Sequence, residues 1–402
     1  MSCKPDNYLL EELIESLSSI NDPRDSRTLH PLMDILVISV LAVMSGAETM
    51  ADIETFAIER EKWLRKFIEL PVGLPSYDTY SRVLSILDPK ELDEAFTQWV
   101  RDSVLGGVIP ETISIDGKSI KGTERRFKTV TNGRPLHVVS AYSHRYGLTL
   151  TGESTSTSGS ESISAIECLK RLDIKGSMIL ADAAFSTNRL AEQIKGQKGD
   201  YIFPIKRNQR HSLKEIEDLF AKNSGESANK INDGHGRQEV RTIRVISTDS
   251  LSDNFKSQWP GCKLVFELTR TRVAPDRRAN IQVTGPDGGK LYRRNTATTK
   301  KSQTITHFVC SRVIDASTAL SLVREHWGIE NGLHWMLDVA FREDNCLVRA
   351  KHLAFTLHVL RKIALNMIRS SKTTGSIRTR MKRAALNEKF HEQLLQPKVM
   401  HP

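Results

Sequence analysis

The stretch Glu111–Gly122, ETISIDGKSIKG, predicts a short buried strand that carries one carboxylate, Asp116, to its end. Side chains alternate along a strand, so Ile113 and Ile115 face one side while Asp116 faces the other. We expect Gly117 to turn the chain there. A strand-end carboxylate followed by lysines suits a divalent metal ion near a phosphate. The alternative is a β-hairpin in which Asp-Gly is only the turn.

A second strand of the same design, Met178–Asp182, also ends in a single carboxylate. The other elements predicted in this region are, in chain order, strands at 137–143 and 148–151, a helix at 163–172, a helix at 188–194 and a strand at 200–205. This order predicts a mixed α/β sheet, and we expect the strand ends to bring Asp116 and Asp182 together. Asp182 has a simpler alternative role as the N-cap of the helix that follows it.

A third carboxylate, Glu330, lies in a strongly helical stretch predicted from Ala316 to about Val339. Helical spacing places His326, Glu330 and His334 on one face. Leu333 and Leu337 are the expected packing residues, near Trp327 and Trp335, which lie eight residues apart. One alternative is a solvated face with a helical salt bridge. A zinc site on the two histidines is disfavoured, because they are eight residues apart, unlike those of an H-E-x-x-H motif.

The remaining regions divide into a helical part and a β-rich part. Residues 8–100 are predicted to be all helical, and the run Ile35–Met44 is so apolar that we expect a core helix there. This run is far shorter than the ~20 residues of a membrane span. The helices around Ser76 are interpreted either as a DNA-reading helix–turn–helix or as an ordinary helical domain. Short strand-like runs from about 212 to 312 predict a β-rich insertion, whose Arg and Lys either contact DNA or are simply solvated.

The 402 residues carry a formal net charge of +10, which favours a polyanionic partner. Ten Lys or Arg and only two Glu fall between Arg361 and Met400, so much of the surplus lies near the C-terminus. The five cysteines have no paired spacing, which disfavours a disulfide framework or a zinc knuckle and favours a reducing cytoplasm. We expect no signal peptide, because the first residues lack an apolar segment.

Several longer motifs resemble the DDE transposases of the ribonuclease-H-like fold, in particular the ISAs-type insertion-sequence transposases and the H-repeat-associated proteins of Rhs elements. The resembling stretches are DPRDSRTLHPLMDIL, VLAVMSGAETMADIETFA, the SIDGK strand, HGRQEVR, REHWGIENGLHWMLDVAFRED and RKIALNMIR. The resemblance runs from about Leu9 to Phe390, nearly the whole chain.

The resemblance implies an α/β fold with a ribonuclease-H-like catalytic core, a β-rich insertion and an all-α N-terminal domain. The implied domains are a helical region at 1–104, a catalytic domain at 105–372 and a basic tail at 373–402. By the same resemblance Asp116, Asp182 and Glu330 form the catalytic and metal-binding triad. Two Mg²⁺ ions, with Mn²⁺ as a substitute, are the implied cofactors. The implied setting is a homodimer on double-stranded DNA in the bacterial cytoplasm, with no membrane partner.

The implied activity is metal-dependent cutting and joining of DNA at element ends and target. Two alternatives stay open: an inactive transposase-derived DNA-binding protein, and a metal-dependent DNA nuclease without strand transfer. For any candidate DNA contact, an ordinary solvated charge is the other interpretation. The candidate DNA contacts are Lys118, Lys121, Lys206, Asn208, Arg237, Arg378, Arg380, Lys382 and Arg383.

Overall fold

The computed structural model describes residues 8–25, 28–124, 135–155, 161–234, 237–275, 280–284, 290–294, 299–348 and 351–397. The helices are α1 (Tyr8–Leu17), α2 (Leu32–Met44), α3 (Met50–Glu59), α4 (Glu61–Leu64), α5 (Tyr77–Ile86), α6 (Pro89–Trp99), α7 (Glu161–Lys170), α8 (Asn188–Gly196), α9 (Arg210–Lys222), α10 (Asp253–Gln258), α11 (Ala316–Glu325), α12 (Trp335–Val339), α13 (Lys351–Ser370), α14 (Ile377–Leu386) and α15 (Glu388–Leu394). The strands are β1 (Thr112–Ile120), β2 (Leu136–Ser143), β3 (Leu148–Thr155), β4 (Met178–Ala181), β5 (Asp200–Ile205), β6 (Glu226–Gly234), β7 (Arg237–Ser247), β8 (Leu264–Pro275), β9 (Asn280–Thr284), β10 (Lys290–Arg294) and β11 (Thr299–Cys310).

The described chain divides into two compact units. The first takes its residues from Met1–Ile179, Gly196–Gly199 and Trp327–Pro402, and the second from Leu180–Lys195 and Asp200–His326. Helices and strands occur in both units. The predicted mixed α/β class is therefore confirmed.

The core of the first unit is built around α2. Its residues from Ile35 to Met44 are buried on every side, which confirms the predicted core helix, and the Ser39 hydroxyl donates 2.7 Å to the Ile35 carbonyl. α13 packs against α2, α5 and α6, so a helix from the predicted catalytic domain lies among the N-terminal helices. Across the described ranges, we find no helix with the length and apolar character needed to cross a membrane.

The basic C-terminal segment folds onto the N-terminal helices of the same unit. The Leu9 amide donates to the Leu395 carbonyl at 3.1 Å, and the Trp63 indole donates to Glu392 at 2.9 Å. His391, fully buried, stacks on Trp63 with ring centroids 4.7 Å apart. Residues 371–397 therefore pack against the rest of the unit. The high positive charge of this region gives no sign of that packing.

The strands β1, β2 and β3 form an antiparallel meander in the first unit. Asp116 pairs with Ser140, and Gly117 pairs with Val139 in the same ladder. β1 continues to Ile120, so the turn predicted at Gly117 is wrong, and so is the alternative Asp-Gly hairpin. The physical reason is that Asp116, Gly117 and Lys118 are all paired with β2, which overrides the local turn preference of Asp-Gly.

The second unit contains an antiparallel sheet in the order β5-β11-β8-β7-β6, with β9 and β10 as a separate two-stranded pair. The strand-like runs predicted within 212–312 lie in β7, β8 and β11, so the β-rich character of this region is confirmed. Helices α9, α10 and α11, and α8 up to Lys195, also belong to this unit.

Candidate active site

Asp116 lies in β1 with its carboxylate only partly exposed. Its Oδ1 accepts a hydrogen bond from the Gly117 amide at 2.9 Å, and its Oδ2 lies 3.5 Å from Nδ1 of His334. Asp116 therefore touches the segment that carries Glu330, and this contact lies within the first unit.

The helical stretch around Glu330 is interrupted by a π-helical turn. Glu330 is the first residue of that turn, Glu330–His334, which connects to α12. Ile329, Leu333 and Leu337 face the core, whereas Glu330 is exposed. Trp327 and Trp335 are also exposed, at 57% and 52%, whereas the predicted packing residues Leu333 and Leu337 are buried. The extra residue of a π turn rotates the face presented by a helix, which regular helical spacing does not anticipate.

Two glycines and an arginine hold the π turn against β2. A Cβ on Gly328 would lie 2.8 Å from Nε2 of His144, and one on Gly332 would lie 2.7 Å from Cζ of Tyr142. The Arg369 guanidinium donates to the carbonyl of Gly332 and, at 2.5 Å, to that of Gly147. The backbone that presents Glu330 is thus fixed from both sides.

His334 stays neutral beside Asp116. Burial lowers its pKa to about 4, and the charge of Lys118 contributes to the shift. A neutral imidazole adds no positive charge beside Asp116.

Lys118, a predicted DNA contact, is enclosed by carboxylates of its own unit. Its ammonium pairs with Asp338, with Glu343 at 2.8 Å and with Asp344 at 3.9 Å. Burial would lower the pKa of Lys118, but Glu343 and Asp338 outweigh it and raise that pKa. We therefore remove Lys118 from the candidate DNA contacts, because its charge is already satisfied inside the protein.

The partner of Lys118, Glu343, is fully buried. His358 contacts one of its oxygens at 2.8 Å, and Arg361 lies 3.7 Å away. Burial works to raise the pKa of Glu343, but the surrounding His358, Lys118 and Arg361 outweigh it, so the pKa lies well below its usual range. Burial in turn lowers the pKa of His358. Sequence reasoning missed this cluster, whose only local sign is the acidic pair Glu343-Asp344.

Asp182 lies in the second unit, directly after β4. Its Oδ1 accepts from the Ala184 amide at 2.8 Å, and its carbonyl accepts from the Ser186 hydroxyl at 3.0 Å. The following helix, α8, begins only at Asn188, so the N-cap alternative for Asp182 is wrong. The carboxylate instead stabilises a tight turn at the strand end.

The oxygen donors of the predicted triad match the chemistry of Mg²⁺, which prefers carboxylate and water ligands. Asp116 and Glu330 belong to the first unit and Asp182 to the second. Among the residues described, no three His, Cys, Asp or Glu side chains are grouped closely enough to hold a metal ion.

The other predicted DNA contacts differ in how far they are engaged by the protein. Lys121 is 78% exposed and pairs with Asp344 at 2.9 Å. Lys206 and Asn208 are exposed, and Lys206 lines a cleft of about 820 Å³ in the second unit. The backbone of Arg237 starts β7, but its side chain lies outside the described residues.

The predicted cluster on α14 has one half-buried and three exposed members. Arg380 is half-buried and donates to the Ile368 carbonyl at 2.6 Å. Arg378, Lys382 and Arg383 are exposed, and the Arg383 guanidinium lies 3.7 Å from the ring centroid of Phe390. Arg380 therefore helps to pack this segment, and the other three face solvent.

Comparison with known proteins places this geometry in context. Residues 14–100 match the family model described as DDE_Tnp_1-associated, and residues 109–367 match the one described as Transposase DDE domain. The putative transposase YncI of Escherichia coli O157:H7 is 30% identical over 96% of this chain and 95% of its own. The H repeat-associated putative transposase YhhI of Escherichia coli K12 is 30% identical over 96% and 98%. The piggyBac transposase synaptic complex with hairpin DNA gives a TM-score of 0.35 at 10% identity, covering 98% of this chain and 83% of that one, which carries no argument about fold.

Proposed function

The chain belongs to the DDE transposase family, and on that premise we propose that it binds double-stranded DNA at insertion-sequence ends and catalyses metal-dependent strand cleavage and transfer. Asp116, Asp182 and Glu330 are the proposed metal-binding carboxylates, in a catalytic core of ribonuclease-H-like type. The supporting observation is that Asp116 contacts His334, at the end of the π turn that Glu330 begins. Asp182 joins the set through the family resemblance.

The proposed chemistry explains why carboxylates are needed. Two bound Mg²⁺ ions, replaceable by Mn²⁺, would activate the attacking oxygen and stabilise the leaving oxygen of a phosphoryl transfer. Water is the nucleophile of the first cut and a DNA 3′-hydroxyl that of strand transfer, so no protein nucleophile is required. The residues themselves supply negative charge, and two carboxylates at ~4 Å repel by about 4 kcal/mol at an effective dielectric of ~20. Cation binding would therefore order this site.

The remaining parts of the proposal concern setting and partners. We place the protein in the bacterial cytoplasm, as a homodimer on paired DNA ends. Lys121, Lys206, Asn208, Arg378, Lys382 and Arg383 stay as candidate DNA contacts, since all six are exposed, and Arg237 stays as a prediction. The boundaries proposed from the sequence, at 104/105 and 372/373, stay as predictions.

The test is a cutting assay on a labelled duplex taken from the DNA that flanks the gene, with Mg²⁺. The wild-type chain should cut it and join the 3′-hydroxyl end to a second duplex. Asp116→Ala, Asp182→Ala and Glu330→Ala should each abolish cutting while binding to the duplex persists. Glu192→Ala, an exposed carboxylate on α8, is the matched control and should cut normally. Normal cutting by any of the three variants would refute the site, and cutting without joining would leave a nuclease.

A further inference from the structure

Three cations lie side by side across the strands of the second unit. Lys230 on β6 pairs directly with Arg241 on β7, and Arg241 pairs directly with Arg270 on β8. Directly paired residues project from the same face of a sheet. Two spacings of about 4.8 Å between strands put the three backbone positions within about 10 Å.

This face gathers further positive charge. Arg272, on the same face of β8, is exposed, as are Lys230 and Arg270. Arg324 of α11 lies near enough for its charge to act on Arg241. Glu239, which pairs with Arg241, is the carboxylate among these neighbours. Five cations therefore lie near Glu239, and a second carboxylate, Glu226, lies further along the same face of β6.

The rows next to the cationic row carry no charge. These two rows, on the opposite face, are Asn229, Thr242, Thr269 and Ile305, and Ile231, Val240, Thr271 and Gln303. Further along that face, Arg244 pairs with Glu267 and Lys301 is exposed. The cationic row is therefore distinguished by three directly neighbouring cations without a carboxylate between them.

The arrangement is unfavourable for the protein alone. Like charges directly opposite each other on neighbouring strands destabilise a sheet. Burial lowers the pKa of Arg241, and Arg324 and Arg270 lower it further against the pull of Glu239. A polyanion lying across the row would replace this repulsion by attraction, and the phosphate backbone of duplex DNA presents one negative charge per ~1.7 Å.

We propose that this face of β6, β7 and β8, with Lys230, Arg241 and Arg270 at its centre, binds the phosphate backbone of duplex DNA. The inference rests on the proposed function, since it names where part of the DNA lies. It assigns the contacts to backbone positioning, because a flat row of cations presents no pattern that distinguishes base edges.

The test measures binding of a short labelled duplex of unrelated sequence over a salt series. Lys230→Gln and Arg270→Gln, singly and together, should weaken binding. Each substitution should make the negative slope of log affinity against log salt less steep by about 0.9. The fold-loss of affinity between ~50 and ~200 mM salt should then be about 3.5 times smaller for each substitution. Urea unfolding should show unchanged or raised stability, because repulsion is removed. Lys301→Gln, an exposed lysine on the opposite face of β11, is the matched control and should leave the slope unchanged.

Each outcome decides the matter. A double variant with the wild-type slope would overturn the inference and leave the proposed function standing. A wild-type chain that binds no duplex at all would overturn both. The double variant is also tested with a labelled double-stranded RNA of the same length. Normal binding to the DNA duplex together with lost binding to the RNA would overturn the assignment to DNA. A lower salt slope together with retained stability would support the proposal, since a purely structural row would lose stability when substituted.

Discussion

A Cβ atom on Gly332 would lie 2.7 Å from Cζ of Tyr142 and closer still to its Oη. Tyr142 is almost fully buried and its hydroxyl lies 3.5 Å from the Arg369 guanidinium, so the ring has little room to move. The close approach of the π turn to β2 thus depends on the absence of a side chain at position 332.

Gly332→Ala should therefore shift the π turn and the Glu330 it carries. We expect overpacking to cost about 1–3 kcal/mol in the free energy of unfolding, and the cutting rate to fall while duplex binding is retained. Adding Tyr142→Phe to this variant should restore part of the lost stability and part of the lost cutting rate. The second substitution removes the Tyr142 hydroxyl oxygen, which is the atom nearest to the new Cβ. Gly196→Ala, where a Cβ meets nothing within 4 Å, is the control. Wild-type cutting by the Gly332→Ala variant would show that this approach does not position Glu330.

The stability of the protein should depend on the planar geometry of the Arg369 guanidinium as well as on its charge. Arg369→Lys keeps the charge but loses the planar fork that reaches both Gly332 and Gly147. Loss of one charged hydrogen bond should cost about 1.5–3 kcal/mol in urea unfolding. Arg378→Lys, on the exposed side of α14, is the control and should behave as wild type. An unchanged unfolding midpoint for Arg369→Lys would argue that the lysine reproduces both bonds.

Lys118 should be required for folding. Lys118→Met leaves Glu343, which has no exposed surface, without its ammonium partner, and breaking a buried pair in this way costs about 3–5 kcal/mol. Adding Glu343→Gln should recover part of the loss, because the buried charge is then removed as well. Lys121→Met breaks an exposed pair and should have little effect on unfolding. If Lys118→Met unfolded like wild type and instead lost DNA affinity, the original assignment of this lysine to DNA would be restored.

Local patterns predicted the elements better than they predicted contacts between distant residues. The apolar run of α2 and the strand-like runs of β2, β3 and β8 are local properties, and the structure confirms a helix and three strands there. The partners of Lys118 lie 220 and 225 residues further along the chain, so no local pattern indicates that its charge is used internally. Periodicity tells which face of an element is apolar but does not identify what covers it.

Local patterns also failed to predict the π turn, although the sequence contains one sign of it. Regular spacing places His326, Glu330 and His334 on one face, whereas in the structure Glu330 is exposed and the His334 side chain is only 13% exposed. Gly328 and Gly332 flank Glu330, and glycines inside a helical pattern indicate close backbone approach. That signal was available in the sequence, but the identity of the approaching residues, His144 and Tyr142, follows only from the fold.

The buried His391 should make the protein sensitive to mild acid. Burial, aided by the charge of Arg60, lowers the pKa of His391 to about 3, whereas an unfolded histidine titrates near 6.5. As pH falls below about 6.5, the unfolded chain takes up a proton that the folded chain does not, so stability is full above that pH and declines below it. The nearby charges are Arg60, Glu388, which pairs with Arg60 at 3.5 Å, and Glu392.

Comparing His391→Phe with wild type isolates this contribution. The phenyl ring keeps the stacking on Trp63 but cannot be protonated. Between pH 6.5 and 5 the wild-type chain should lose about 2 kcal/mol more unfolding free energy than the variant, at ~1.4 kcal/mol per pH unit. Urea unfolding at several pH values measures this difference. His352→Gln, at an exposed position, is the control variant and should keep the wild-type slope. Equal slopes for wild type and His391→Phe would mean that His391 is protonated in the folded chain.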